Sequence, residues 1–135
     1  MVEKLSTHKQ VDAVVFLRPD VMYISELPVF LFSHYQGVLF VPDFQRSCAG
    51  MEYNDRMAMG DLKSAVIYGK KFDGALNYSL RHPLHSEKFT YDYLHANRVR
   101  VIEIPFRFRR MRAKGMIHDR FYNYKLILIL ENLSL

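Results

Sequence analysis

The chain has 135 residues, half of them hydrophobic, 24% charged and 14% aromatic, without a tryptophan. This is the composition of one globular domain able to bury a core, and it excludes a disordered or low-complexity chain. The single cysteine, Cys48, excludes an internal disulfide framework and a cysteine-rich zinc site, while the formal net charge of +5 is modest but unevenly distributed, with a basic cluster between Arg98 and Lys114 that favours an anionic partner.

Met1 to Gln10 is polar and helix-like, unlike a secretory leader. No apolar run approaches the roughly 20 residues of a membrane helix. A soluble, cytoplasmic protein is expected. The run "DAVVFL", 12–17, reads as a buried strand that stops at Arg18-Pro19-Asp20, because proline fixes its own φ and forces the preceding residue to be extended. Asp20 is thereby expected just past the carboxyl end of a strand, where open α/β sheets collect ligands.

"GVLFVP", 37–42, reads as a second buried strand between Gly37 and Pro42. About fourteen irregular residues follow, and they contain the polar triplet Asn54-Asp55-Arg56. From Asp61 the spacing of Leu62, Ala65, Val66, Gly69 and Phe72 predicts a helix, with Asp61 at its N-terminal end. A second helix is expected over 86–97, with Ser86 as N-cap and Glu87 complementing the helix dipole. "VRVIEIPFRFRR" then alternates, placing Ile102, Ile104, Phe106 and Phe108 on one face and Glu103, Arg107 and Arg109 on the other. Pro105 calls for an edge or a bulge. "YKLILIL" near the end fits a strand or a helix. Strands alternating with helices predict a single α/β domain with a mixed sheet flanked by helices.

Several residues could carry chemistry. Asp20 reads as a turn residue or as a carboxylate for Mg²⁺ or Mn²⁺ beside substrate phosphates. Asp55 reads as a turn residue or as a general base, with Arg56 to orient it or to pair with it and lower its pKa. His82 and His85 have His-x-x-His spacing, but Pro83 interrupts any helix there and no further soft ligand stands nearby. Between Arg98 and Lys114 seven basic residues face one acid, Glu103. That stretch reads as a solvated basic face or as a surface for nucleic acid, a phosphate-bearing metabolite or an acidic protein. The alternation sends Phe106 and Phe108 to the core, away from Arg107 and Arg109. Gly-rich phosphate loops, a Gly-x-Ser-x-Gly elbow and paired-cysteine motifs are missing from the sequence.

Taken in order, "VVFLRPDVMYISELP", "GVLFVPDF", "GMEYNDRMAMGDLKSAVIYG", "HPLHSEKFTYDYL" and "VRVIEIPFRFRRMRAKG" resemble GT-A-type glycosyltransferase-like proteins of viral and microbial glycan synthesis. The resemblance covers about residues 11–119. It implies transfer of a sugar from a nucleoside diphosphate to a hydroxyl acceptor, assisted by Mn²⁺ or Mg²⁺. It further implies Asp20 as metal-binding carboxylate, Asp55 as catalytic base, and Arg18 and Arg112 near the donor phosphates. Asn54, Arg56 and Glu87 would be substrate-binding. Phe16 departs from the pattern, standing where the family has a first arginine, and Met57 replaces its phenylalanine. Family members carry an N-terminal nucleotide-binding half before the first of these strands. The expectation is therefore a C-terminal half, with self-association or a partner chain supplying what is missing. The rival readings are a non-catalytic remnant that binds carbohydrate or a partner protein, and a basic nucleic-acid-binding module.

Overall fold

The computed structural model describes residues 11–44 and 51–111. Six strands and four helices follow one another: β1 (Val14–Leu17), β2 (Val21–Tyr23), α1 (Leu31–His34), β3 (Val38–Pro42), β4 (Met57–Gly60), α2 (Leu62–Gly69), a 3-10 turn (Lys71–Gly74), α3 (Ala75–Ser79), α4 (Ser86–Ala96), β5 (Arg100–Ile104) and β6 (Phe108–Arg110). The main sheet has the order β1-β4-β3-β5, with β4 antiparallel to both neighbours and β3 parallel to β5. β2 and β6 form a separate antiparallel ribbon. This is a small α/β domain with a mixed sheet. Among the described residues no helix is long and apolar enough to cross a membrane.

The period of two along the central strands divides the core into two layers. Val38 and Phe40 of β3, Met57 and Met59 of β4, and Ile104 face the β2–β6 ribbon, where Val21, Phe106 and Phe108 complete the layer. Leu39, Val41 and Ala58 point the other way and meet Tyr68 of α2 and Leu94 of α4. Both faces are covered, so β3 and β4 are buried throughout, as a two-sided layer requires. Each large side chain removed from water here contributes about 1.5–3 kcal/mol.

Two glycines set close geometry. A Cβ on Gly60 would lie 2.7 Å from the Val38 carbonyl oxygen, so only glycine lets β4 approach β3 at its end. Gly37 enters β3 at φ +67°, a conformation that L side chains avoid. Its amide donates to Asp61 Oδ2 at 2.7 Å. Asp61 is the expected N-cap of α2, and its Oδ1 accepts from the Ser64 amide at 2.9 Å. Burial pushes the Asp61 carboxyl up, but the hydrogen bonds from Ser64 and Gly37 outweigh it and hold the pKa below the ordinary value.

Four expectations need correction. The apolar run 12–17 does form a strand, but β1 borders the sheet, is only half-buried and ends with Leu17 exposed. The alternating stretch 99–110 is two strands rather than one. It breaks at Pro105, after which the Phe106 amide closes a tight turn onto the Ile104 carbonyl, and the chain crosses from the sheet to the ribbon. Proline cannot donate to a ladder, which is why the crossing falls there. β5 is accordingly an edge strand, and Ile102, Ile104, Phe106 and Phe108 still share one core layer. Third, His85 rather than Ser86 stands at the N-cap of α4, without a side-chain cap. The Ser86 hydroxyl is used elsewhere. Fourth, α2 ends at Gly69, and Phe72 belongs to the following 3-10 turn with an exposed ring. The "YKLILIL" stretch, Met1 to Gln10 and Cys48 lie outside the described residues.

Candidate functional site

The carboxyl end of β1 turns sharply at Pro19, and the Arg18 side chain folds onto Asp20. Its Nε donates to Oδ1 at 2.8 Å and its Nη2 to Oδ2 at 2.6 Å. This fork-to-fork pair occupies both carboxylate oxygens. The Arg18 hydrogen bond holds Asp20 below the ordinary carboxylate pKa, and Asp20 in turn raises that of Arg18. The pair is two-fifths exposed, so its charges remain well screened. The Tyr23 hydroxyl accepts from the Arg18 amide at 2.7 Å and lies 3.2 Å from the carbonyls of Arg18 and Arg56. One tyrosine thus fastens the Arg18 turn to the loop that carries the polar triplet.

Within that loop Asn54 is fully buried. Its Nδ2 donates to the Phe44 carbonyl at 2.8 Å and its Oδ1 accepts from the Arg56 amide at 3.0 Å. Both ends of the amide are spent on backbone, which makes Asn54 a positioning residue for its two neighbours. The Arg56 guanidinium is nine-tenths buried. Nη2 lies 3.2 Å from Glu87 Oε1, and Nη1 lies 3.8 Å from Asp55 Oδ1. Arg56 Nε and Nη1 and Asp55 Oδ1 are buried without a hydrogen-bond partner. The other Asp55 oxygen, Oδ2, accepts from the Ser86 hydroxyl. Glu87 stands in the first turn of α4, as the dipole argument requires, and is also the counter-ion of Arg56. His85 Nδ1 sits 3.5 Å from Glu52 Oε1 and 3.7 Å from Glu87 Oε2. His82 instead packs its ring on Tyr78, so the two imidazoles of His-x-x-His face different neighbours.

Phe16, Leu17 and Arg18 from the end of β1, Asp55 and Arg56 from the loop, Tyr68 and Gly69 from α2, and Lys71 and Phe72 from the 3-10 turn enclose a cleft of about 260 Å³. Phe16 packs on Tyr68 with ring centroids 5.0 Å apart, which gives the cleft an apolar wall. The Tyr68 hydroxyl donates to the Asp55 carbonyl at 3.3 Å, and burial drives its pKa far above the ordinary phenol value. Lys71 is buried, with Nζ 3.1 Å from the Thr90 hydroxyl and 4.1 Å from the centre of the Tyr68 ring. Burial lowers its pKa to about 8 against the opposing pull of Asp55 and Glu87.

Of the residues singled out in the sequence, Arg18, Asp55 and Arg56 line this cleft. Glu87 and Asn54 stand behind it, and Asp20 meets it only through Arg18. Arg112 lies outside the described residues. Sequence reasoning missed Tyr68, Lys71 and Ser86. The pattern that put Ala65 and Gly69 on the inner face of α2 also carries Tyr68 there, and this was the available signal. No protein-family model, curated protein or solved structure matches the chain.

The donor set for a divalent ion is thin. Both Asp20 oxygens are held by Arg18, and among the described residues no group of three His, Cys, Asp or Glu side chains could hold a metal. These described residues do not fit a resident ion. The basic stretch shows a similar economy. Arg107 is paired with Asp43 and lies over the Phe44 ring. Phe106 and Phe108 are core, leaving neither as a stacking platform for bases.

Proposed function

We propose that this cleft is a sugar-transfer site of the GT-A kind, acting on a nucleoside diphosphate sugar and a hydroxyl acceptor. The observation that carries the reading is convergence. Arg18 and Asp55 belong to motifs far apart in the chain, and they line one cleft with Arg56 between Asp55 and Glu87. Asp55 is the base: Arg56 and Ser86 fix its carboxylate from two sides. The hydrogen bond that Ser86 gives to Oδ2 is the one an acceptor hydroxyl would give as it loses its proton, a contribution of about 10²–10⁴-fold. Arg18 supplies charge to the departing diphosphate by exchanging Asp20 for phosphate oxygens.

The test is product formation from a panel of nucleotide sugars and simple glycosides, with Asp55→Asn alongside. Turnover by the native chain that falls at least a hundredfold in the variant supports the reading. Donor hydrolysis or transfer unchanged in Asp55→Asn refutes the assignment of the base. A second reading is favoured by the size of the cleft, which at about 260 Å³ lies below the ~300–1,000 Å³ typical of small-molecule sites. It accommodates a sugar ring more readily than a whole nucleotide sugar. This favours either a domain that binds carbohydrate without transferring it or one whose donor site is completed by another chain.

A further inference from the structure

Lys71 takes no part in the transfer scheme, and its surroundings are unusual for a lysine. Its side chain is buried, and the residue lines the cleft. Among the described residues its one hydrogen bond goes to the neutral Thr90 hydroxyl, and no carboxylate of theirs lies within ion-pair distance of it. The rings of Tyr68 and Phe72 lie 4.1 and 5.4 Å from Nζ, and Phe16 and Leu17 extend the apolar wall. The charged groups around it are Asp55 and Glu87, which favour its ammonium form, and Arg18 and Arg56 on the same cleft. A desolvated amine on a residue that lines a cleft is the arrangement that makes lysine a nucleophile toward carbonyl compounds.

We propose that Lys71 is a carbonyl-capturing amine that forms an imine with a small aldehyde or ketone whose flat, apolar body packs against the cleft wall that Phe16, Tyr68 and Phe72 line. The Nζ lone pair adds to the carbonyl carbon, the two amine hydrogens leave with the carbonyl oxygen as water, and a C=N bond replaces C=O. No oxidant or reductant is consumed. The inference rests on the cleft and its walls, and it stands whether or not the domain transfers sugars.

The population of free amine agrees with this role. At pH 7 a lysine with a pKa of about 8 is about 10% unprotonated, against about 0.03% for an ordinary one. The experiment uses the full chain with pyridoxal 5′-phosphate as carbonyl probe, trapping by cyanoborohydride, and peptide mapping across pH 6.5–10. Lys70 and Lys63, both exposed on the same segment, are the internal controls. Lys71 is expected to be modified at least tenfold faster than either at pH 7.5, with its rate levelling above about pH 8 while theirs continue to climb. Equal labelling, preferential labelling of Lys63 or Lys70, or an unmodified Lys71 would overturn the proposal. A Lys71→Arg chain, which keeps the charge and loses the reactive amine, should lose the fast phase only. If that variant does not fold, the mapping on the native chain alone decides.

Discussion

Replacing Lys71 by methionine should make this protein more stable at neutral pH and less stable in alkali. In the unfolded chain the amine takes its ordinary pKa of 10.5, whereas in the fold burial holds it at about 8. That displacement corresponds to about 3 kcal/mol, at ~1.4 kcal/mol per tenfold change in proton affinity. Below pH 8 both states hold the proton, and the folded state bears the whole cost of an ammonium ion out of water. Between pH 8 and 10.5 the folded chain releases its proton first, so the stability of the native protein rises. Burial raises the folded pKa of Tyr68 above its ordinary 10.0, so above pH 10 the unfolded chain ionises first and stability falls; the clean window is pH 8–10. Methionine fills a similar volume without charge but forfeits the hydrogen bond to Thr90, about 1 kcal/mol. Lys71→Met is therefore expected to gain about 2 kcal/mol at pH 7. By pH 10 the gain should vanish or change sign. Urea unfolding at the two pH values measures both quantities directly. No gain at pH 7, or the same gain at both, would show that the ammonium is not strained by its surroundings.

Gly60→Ala drives a Cβ to within 2.7 Å of the Val38 carbonyl and should cost about 1–3 kcal/mol in the same unfolding assay. Asp61→Ala removes acceptors from both the Ser64 and Gly37 amides and should cost about 1–2 kcal/mol. Because the folded pKa of Asp61 is depressed, its contribution is present above the unfolded value of 3.8 and is lost as the pH falls through the folded one. Asp20→Asn releases Arg18 from its bidentate partner and should tighten binding of a nucleoside diphosphate several-fold, read as a rise in thermal midpoint with ligand. A Mn²⁺-dependent midpoint shift that this substitution abolishes would instead put an ion on Asp20.

Much of the fold was legible because the central strands announce themselves. "GVLFVP" has no polar position to spare for solvent, and β3 is indeed covered on both faces. The two principal helices were equally plain, one from its apolar spacing and one from its polar start. The ribbon was not. β2 and β6 are three residues each, and their partners lie at opposite ends of the described chain, so no local pattern joins them. At the site, Asp55 and Arg56 stood out as charges beside an apolar run, and the structure buries Arg56 and half-buries Asp55. Lys71 could not be seen in this way. A lysine after a helix reads as surface, and its burial arises only when Thr90 of α4 and Tyr68 of α2 close around it.

The pairing of the strands bears on how the chain finds this structure. β1 waits for β4, β3 for β5, and β2 for β6; among the described strands only β3 and β4 are consecutive partners, and 14 residues (43–56) separate even these. Loop-closure entropy must be met before such contacts stabilise anything, and folding of non-local sheets is correspondingly slow. The β2–β6 ribbon lays Tyr23 beside Phe108 across nearly the whole described length. It works as a clasp, closing only once both ends of the described segment are in place. A chain emerging from the ribosome would hold β2 unpaired until almost the last of the described residues had been made.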